Sequence, residues 1–137
     1  MTEVDGNLRG LLGDLEREVM EWVWQQPPGE LTVRQVYEAH FLGREPSLAY
    51  TTIMTVMSHL GDKGLLIRRL SGKTHYYTVA QSREQFRARS AARQVARLVE
   101  NFGDLALAQF MGQLASIDPE RQAHIQRLLQ KDAAKEE

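Results

Sequence analysis

Three segments of helical period followed by one strand–turn–strand pattern leave few architectures open to this chain of 137 residues. The strand pattern lies at Leu65-Leu-Ile-Arg-Arg-Leu70 and Lys73-Thr-His-Tyr-Tyr-Thr-Val79, two runs rich in strand-forming residues around a Ser71-Gly72 turn. Ahead of it, Leu15, Val19, Trp22 and Val23 fall at i, i+4, i+7 and i+8. They predict a helix capped by Asp14 that runs to about residue 26, where Pro27-Pro28-Gly29 stops it. Thr32 and Gln35 have capping-box spacing, so a second helix runs from there to about residue 41 with Val33, Val36, Tyr37 and His40 inward. After a turn at 43–47, a third helix fits 49–62. Its Ile53, Val56, Met57 and Leu60 face one way, and Tyr50, Thr51, Met54, Thr55 and Ser58 the other. Gly64 is placed to end it in a left-handed conformation.

Helix, helix, helix, hairpin is the order of a winged helix-turn-helix. The fold class expected is therefore mainly α with a small β-hairpin wing. In such a domain the third helix enters the major groove by its N-terminal half. Short hydroxyls there can bond phosphates or base edges, and methyl groups can pack on thymine methyls. Arg68, Arg69, Lys73 and His75 on the wing suit phosphate contacts that position the protein. Arg68 and Arg69 alternate sides of a strand, so only one can face a groove. Each feature also has a plainer reading. A threonine-rich helix face is more often merely solvated, a basic pair on a hairpin is more often surface, and the same order of elements occurs in winged domains that bind only proteins. That protein-interaction module stands as the alternative function.

Beyond the hairpin the pattern is helical again. One helix is expected over 83–100, with Phe86, Val95, Leu98 and Val99 apolar, and a break near 101–104. Asp104 is expected to cap 105–114. Asp118 is expected to cap a last helix with Pro119 at its first position. Counting Leu98, Phe102, Leu105, Leu107, Phe110, Met111, Leu114, Ile125, Leu128 and Leu129, this region carries more apolar groups than so short a segment can enclose alone. A two-fold interface with a second copy would cover them; packing back onto the chain's own winged domain is the other way. The organisation expected is a flexible arm over 1–11, a DNA-binding domain over 12–80, a helical dimerisation domain over 81–131 and a disordered polar tail over 132–137.

Composition excludes several classes. There is no cysteine, so disulfides, thiolate catalysis and cysteine-based metal sites are out. No apolar run approaches the ~20 residues that span a bilayer, and Met1-Thr-Glu-Val-Asp5 carries acids where a signal peptide carries positive charge. A cytoplasmic protein without direct membrane insertion is expected. The net charge is −1, yet the charge is unevenly spread. Residues 1–43 hold 3 Lys/Arg against 8 Asp/Glu, 44–82 hold 5 against 2, 83–99 hold 5 against 1, and 100–137 hold 4 against 7. Two adjacent basic blocks can attract phosphates locally although the whole is near neutral. An enzyme is not expected. His40, His59, His75 and His124 lack i, i+4 spacing, no HExxH or glycine-rich phosphate loop occurs, and His40 and His59 sit at or near apolar helix faces. No cofactor or metal is called for.

The residues also carry a resemblance. Leu12-Gly-Asp-Leu-Glu-Arg-Glu-Val-Met-Glu-Trp-Val-Trp24, Thr32-Val-Arg-Gln-Val-Tyr-Glu38, Ala49-Tyr-Thr-Thr-Ile-Met-Thr-Val-Met-Ser-His-Leu-Gly-Asp-Lys-Gly64 and His75-Tyr-Tyr-Thr78 resemble the penicillinase and methicillin-resistance repressor family over 12–80. The resemblance implies a homodimeric winged-helix repressor of a palindromic operator, with β-lactam-resistance genes among the targets. It places Tyr50, Thr51, Thr52, Met54 and Thr55 where the family's recognition helix meets DNA. Copper-responsive relatives use paired cysteines near the C-terminus, which this chain lacks. Members of the family are inactivated when a membrane-linked protease cuts an Asn–Phe bond in the dimerisation helices. Here the family's register falls on Gln109–Phe110, whereas the Asn–Phe dipeptide is Asn101–Phe102, expected at the break after the long helix and therefore more accessible.

Overall fold

The computed structural model describes residues 12–136, with side chains up to Lys131. The arm expected over 1–11 lies outside the described residues. The chain forms two compact units, the first ending at Ala91 and the second beginning at Ala92.

In the first unit, helix α1 (Asp14–Trp24) has its cap one residue earlier than the one expected at Asp14. Gly13 occupies the capping position, and its N–H donates to Glu16 Oε1 at 2.8 Å. Asp14 lies inside the first turn, where a carboxylate still complements the helix dipole. Val19, Met20 and Val23 are buried, with Leu15 and Trp22 packed at the margin. A two-residue strand follows, β1 (Leu31–Thr32), too short to show alternation in sequence. Helix α2 (Val33–Val36) opens with the expected capping box. Gln35 N–H donates to Thr32 Oγ1 at 3.2 Å, and Thr32 N–H donates to Gln35 Oε1 at 2.8 Å. The helix continues as a π-helical turn, Tyr37–Phe41, closed by the Leu42 N–H on Tyr37 O. This wider turn corrects the expected inward face. Phe41, five residues after Val36, is fully buried beside Val33 and Val36, and His40 is left half-exposed.

Helix α3 (Tyr50–Asp62) buries Ile53, Met57 and Leu60 completely. Gly64 ends the turn after it at φ +80°, as expected. Strands β2 (Leu66–Ser71) and β3 (Thr74–Val79) form the hairpin, and the sheet order is β1-β3-β2, all antiparallel. The turn is Gly72-Lys73, one residue later than expected. Ser71 pairs with Thr74, and Gly72 takes the positive φ, +63°.

Helix α4 (Arg83–Phe102) begins within this unit. Ser82 and Gln85 form a second reciprocal cap. Phe86 is 4% exposed and joins the winged core, its ring centroid 6.2 Å from that of Trp24. The Trp24 indole N–H donates to Gln81 O at 2.9 Å, and Arg83 Nε pairs with Glu21 at 3.1 Å. The domain boundary expected at residue 80 is thus displaced to Ala91, because the first turns of α4 complete the core.

In the second unit α4 ends at Phe102, and Gly103, at φ +57°, follows it and takes the capping position expected for Asp104. Helix α5 (Asp104–Ala115) and helix α6 (Pro119–Glu136) follow. Asp118 Oδ1 accepts the Arg121 N–H at 2.9 Å, the expected cap. The tail expected over 132–137 is helical to Glu136, since alanine, lysine and glutamate extend a helix readily. Among the described residues of this unit, Ala106 is the one buried hydrophobic.

Candidate nucleic-acid interface

The outward side of α3 is built by its inward side. Ile53, Met57 and Leu60 lock one face into the core, and the period then turns Thr51, Met54 and Thr55 outward, all exposed. Tyr50 is 37% exposed and held at the helix start. Its ring meets Tyr37 edge-on at 5.7 Å, with the Arg34 guanidinium 5.7 Å from its centroid. The Tyr37 hydroxyl in turn donates to Leu48 O at 2.9 Å, tying the loop before α3 to α2. Thr55 Oγ1 donates to Thr51 O at 3.1 Å, so its oxygen remains able to accept. Thr52 is half-buried beside this face. Ser58 accepts Arg68 Nη1–H at 2.9 Å and so anchors the wing.

The two wing arginines do face opposite ways. Arg68 shares the sheet face of buried Leu66 and Tyr77, lies against α3, and reaches Asp62 at 3.5 Å. His75, opposite Leu70 on that same face, and Lys73 in the turn are both exposed. Arg69 points to the other face. Its Nε and Nη2 donate to the two carboxylate oxygens of Glu30 at 2.8 and 3.0 Å, and its Cζ lies 4.8 Å from the Tyr76 ring centroid. The Arg69 hydrogen bond holds the Glu30 carboxyl below the usual carboxylate range.

Arg34, exposed at the start of α2 over Tyr50, is a cation that sequence reasoning missed. Its position in the first turn of the helix before the third was the available signal. His59 is exposed, correcting its expected place near an apolar face, because the α3 period puts it outside the Ile53–Met57–Leu60 stripe. His40 Nε2 lies 2.9 Å from Glu18 Oε2, which also pairs with Arg44. Burial pushes the Glu18 carboxyl up, but the bonds from Arg44 and His40 outweigh it and leave it below its ordinary value. Among the described residues, no group of three or more His, Asp or Glu could hold a metal ion, and no helix is long and apolar enough to cross a membrane.

In the second unit Leu98, Phe102, Leu105 and Phe110 surround a pocket of about 210 Å³ with Ala106 and Gln109. Phe102 is 58% exposed, Leu105 71% and Met111 70%. Leu107, Leu114, Leu128 and Leu129 are also exposed, and Ile125 is half-buried. Asn101–Phe102 forms the last turn of α4, with Gly103 N–H bonded to Val99 O, and Gln109–Phe110 lies inside α5. The expectation that Asn101–Phe102 sits in the chain break is therefore corrected: Gly103 makes the break, and both bonds are helical.

Residues 12–131 match the family described as penicillinase repressor. Two curated proteins named transcriptional regulator BlaI, from Mycobacterium tuberculosis strains CDC 1551 / Oshkosh and ATCC 25618 / H37Rv, are each 42% identical to the chain over 74 residues. That stretch is 54% of this chain and 51% of theirs, so the chain spans about half the length of the curated relatives it matches. Among solved structures, MepR, a transcription regulator of the Staphylococcus aureus multidrug efflux pump MepA, is similar at 15% identity and a TM-score of 0.42, over 99% of this chain and 89% of that one. The transcriptional regulator PA4135 is similar at 21% identity and a TM-score of 0.44, over 84% of this chain and 86% of that one.

Proposed function

The chain belongs to the penicillinase repressor family, and from that premise we propose that it represses transcription by binding a palindromic operator duplex as a homodimer. The observation that carries the reading is the α3 surface, where Tyr50, Thr51, Met54 and Thr55 stand outward beside a wing whose Arg68 lies against the same helix. In this reading α3 enters the major groove, Thr51 and Thr55 accept or donate at base edges, and the Met54 side chain packs on thymine methyls. Thr52 and Ser58 support the helix from its flanks. Arg34, Arg68, Lys73 and His75 contact phosphates and fix the register without reading sequence.

The exposed apolar groups of α4, α5 and α6 support a second copy as their cover. A two-fold dimer presents two recognition helices to two half-sites, and linkage of the two gives the operator its affinity. No catalysis, metal or cofactor enters this function, and it is exercised in the cytoplasm. The operator-bearing genes are of the β-lactam-resistance class that the family resemblance implies. Release by a membrane-linked protease, at Asn101–Phe102 or Gln109–Phe110, requires local opening of α4 or α5 first, because proteases cleave extended chain.

Footprinting of the purified protein on DNA upstream of its own gene tests the reading. A protected two-fold site is expected, with affinity falling steeply in salt. Binding that is absent, or that ignores salt, returns the domain to protein recognition. Mass spectrometry of the chain from induced cells tests release: an intact chain under full derepression removes the protease.

A further inference from the structure

Glu30 stands just before β1, and its carboxylate pairs bidentately with one edge of Arg69, Nε–H on Oε2 and Nη2–H on Oε1. Arg69 pairs across the hairpin with Tyr76, and Tyr76 pairs in turn with Thr32 of β1. The guanidinium is thus laid over the Tyr76 ring toward the strand that Glu30 precedes. A planar fork bonded to two oxygens is the geometry in which arginine takes a phosphate. Arg68, on the other face, is held differently: it gives one N–H to the neutral Ser58 hydroxyl, and its nearest carboxylate oxygen is 3.5 Å away.

We infer that Glu30 is a positioning residue that stands in for a phosphate on Arg69 and withholds that arginine from the DNA backbone. The inference rests on the DNA-binding reading. Sequence-independent affinity grows with the number of phosphates neutralised. A carboxylate that satisfies one wing arginine internally lowers that number by one and leaves Arg68, Lys73 and His75 to set the wing's contribution. Glu30 and Arg69 are both exposed, so the pair is dispensable to the core and exchangeable with solvent or with a ligand.

The test uses the full chain as wild type, Glu30→Gln, Arg69→Ala and the double variant. Fluorescence anisotropy is read on a duplex of arbitrary sequence across ionic strength, with circular dichroism confirming equal folding. Glu30→Gln is expected to bind about two- to fivefold tighter at low salt, the worth of one exposed charge pair, and to steepen the slope of log K against log salt by about 0.9. Arg69→Ala is expected to match wild type in both, and the double variant to return to the wild-type slope. The inference is overturned if Glu30→Gln changes nothing, if Arg69→Ala alone flattens the slope, or if the double variant keeps the gain. Wild-type protein with no salt-dependent binding would overturn the DNA-binding reading itself.

Discussion

Cutting the chain after Ala80 instead of after Ala91 should separate a marginal fold from a stable one. The shorter fragment, 12–80, loses Phe86, whose ring is 4% exposed against Trp24. Deleting such a side chain costs about 3–5 kcal/mol. It also loses Gln81, which accepts the Trp24 indole N–H and caps Gly64 O, leaving a part-buried donor short of its partner at about 1–3 kcal/mol. The Arg83–Glu21 pair, only about a quarter exposed on each side, goes as well. These losses total roughly 5 kcal/mol, comparable to the lower end of the 5–15 kcal/mol that holds a small domain together. Urea denaturation of both fragments, with sedimentation to report their mass, measures the difference. Fragment 12–91 should unfold cooperatively as a monomer, and 12–80 should be largely unfolded or melt about 20 °C or more lower on heating, at about 4–8 °C per kcal/mol. Equal midpoints for the two would refute the assignment of Phe86 and Gln81 to the winged core.

Thr51→Ala or Thr55→Ala should weaken operator binding by about 1–3 kcal/mol where the residue makes a base contact, whereas Lys73→Ala should weaken every duplex alike and flatten the salt slope by about one contact; gel-shift titrations on operator and arbitrary DNA distinguish the two. Replacing Leu105 or Met111, 71% and 70% exposed, by glutamate should leave circular dichroism intact and convert a dimer to a monomer in sedimentation; retention of the dimer would place the interface elsewhere. Glu18 has its folded pKa held below the unfolded one by Arg44 and His40 despite burial. Its contribution to stability is therefore present above the unfolded value, about 4.3, and is lost as pH falls through the folded value. Glu18→Gln should flatten the acid limb of the stability–pH curve while lowering stability at pH 7, and an unchanged acid limb would remove Glu18 from the linkage.

Sequence alone determined the elements whose signals are local. Capping chemistry is written in the spacing of Thr32 and Gln35 and in Asp118, and both caps are present. The face that α3 presents follows from the period of Ile53, Met57 and Leu60, which points Thr51, Met54 and Thr55 outward without further information. Tertiary packing decided the rest. The π-helical turn that buries Phe41 in place of His40 depends on what α1 and α3 offer as a partner surface, and a 3.6-residue period cannot encode it. β1 exists because Tyr76 and Tyr77 offer backbone groups to Leu31 and Thr32, a pairing made across more than forty residues of chain. The wing arginines look alike in sequence. Only the folded positions of Ser58 and Glu30 lay one against α3 and bind the other bidentately to a carboxylate, since a charge's partner is set by proximity in space.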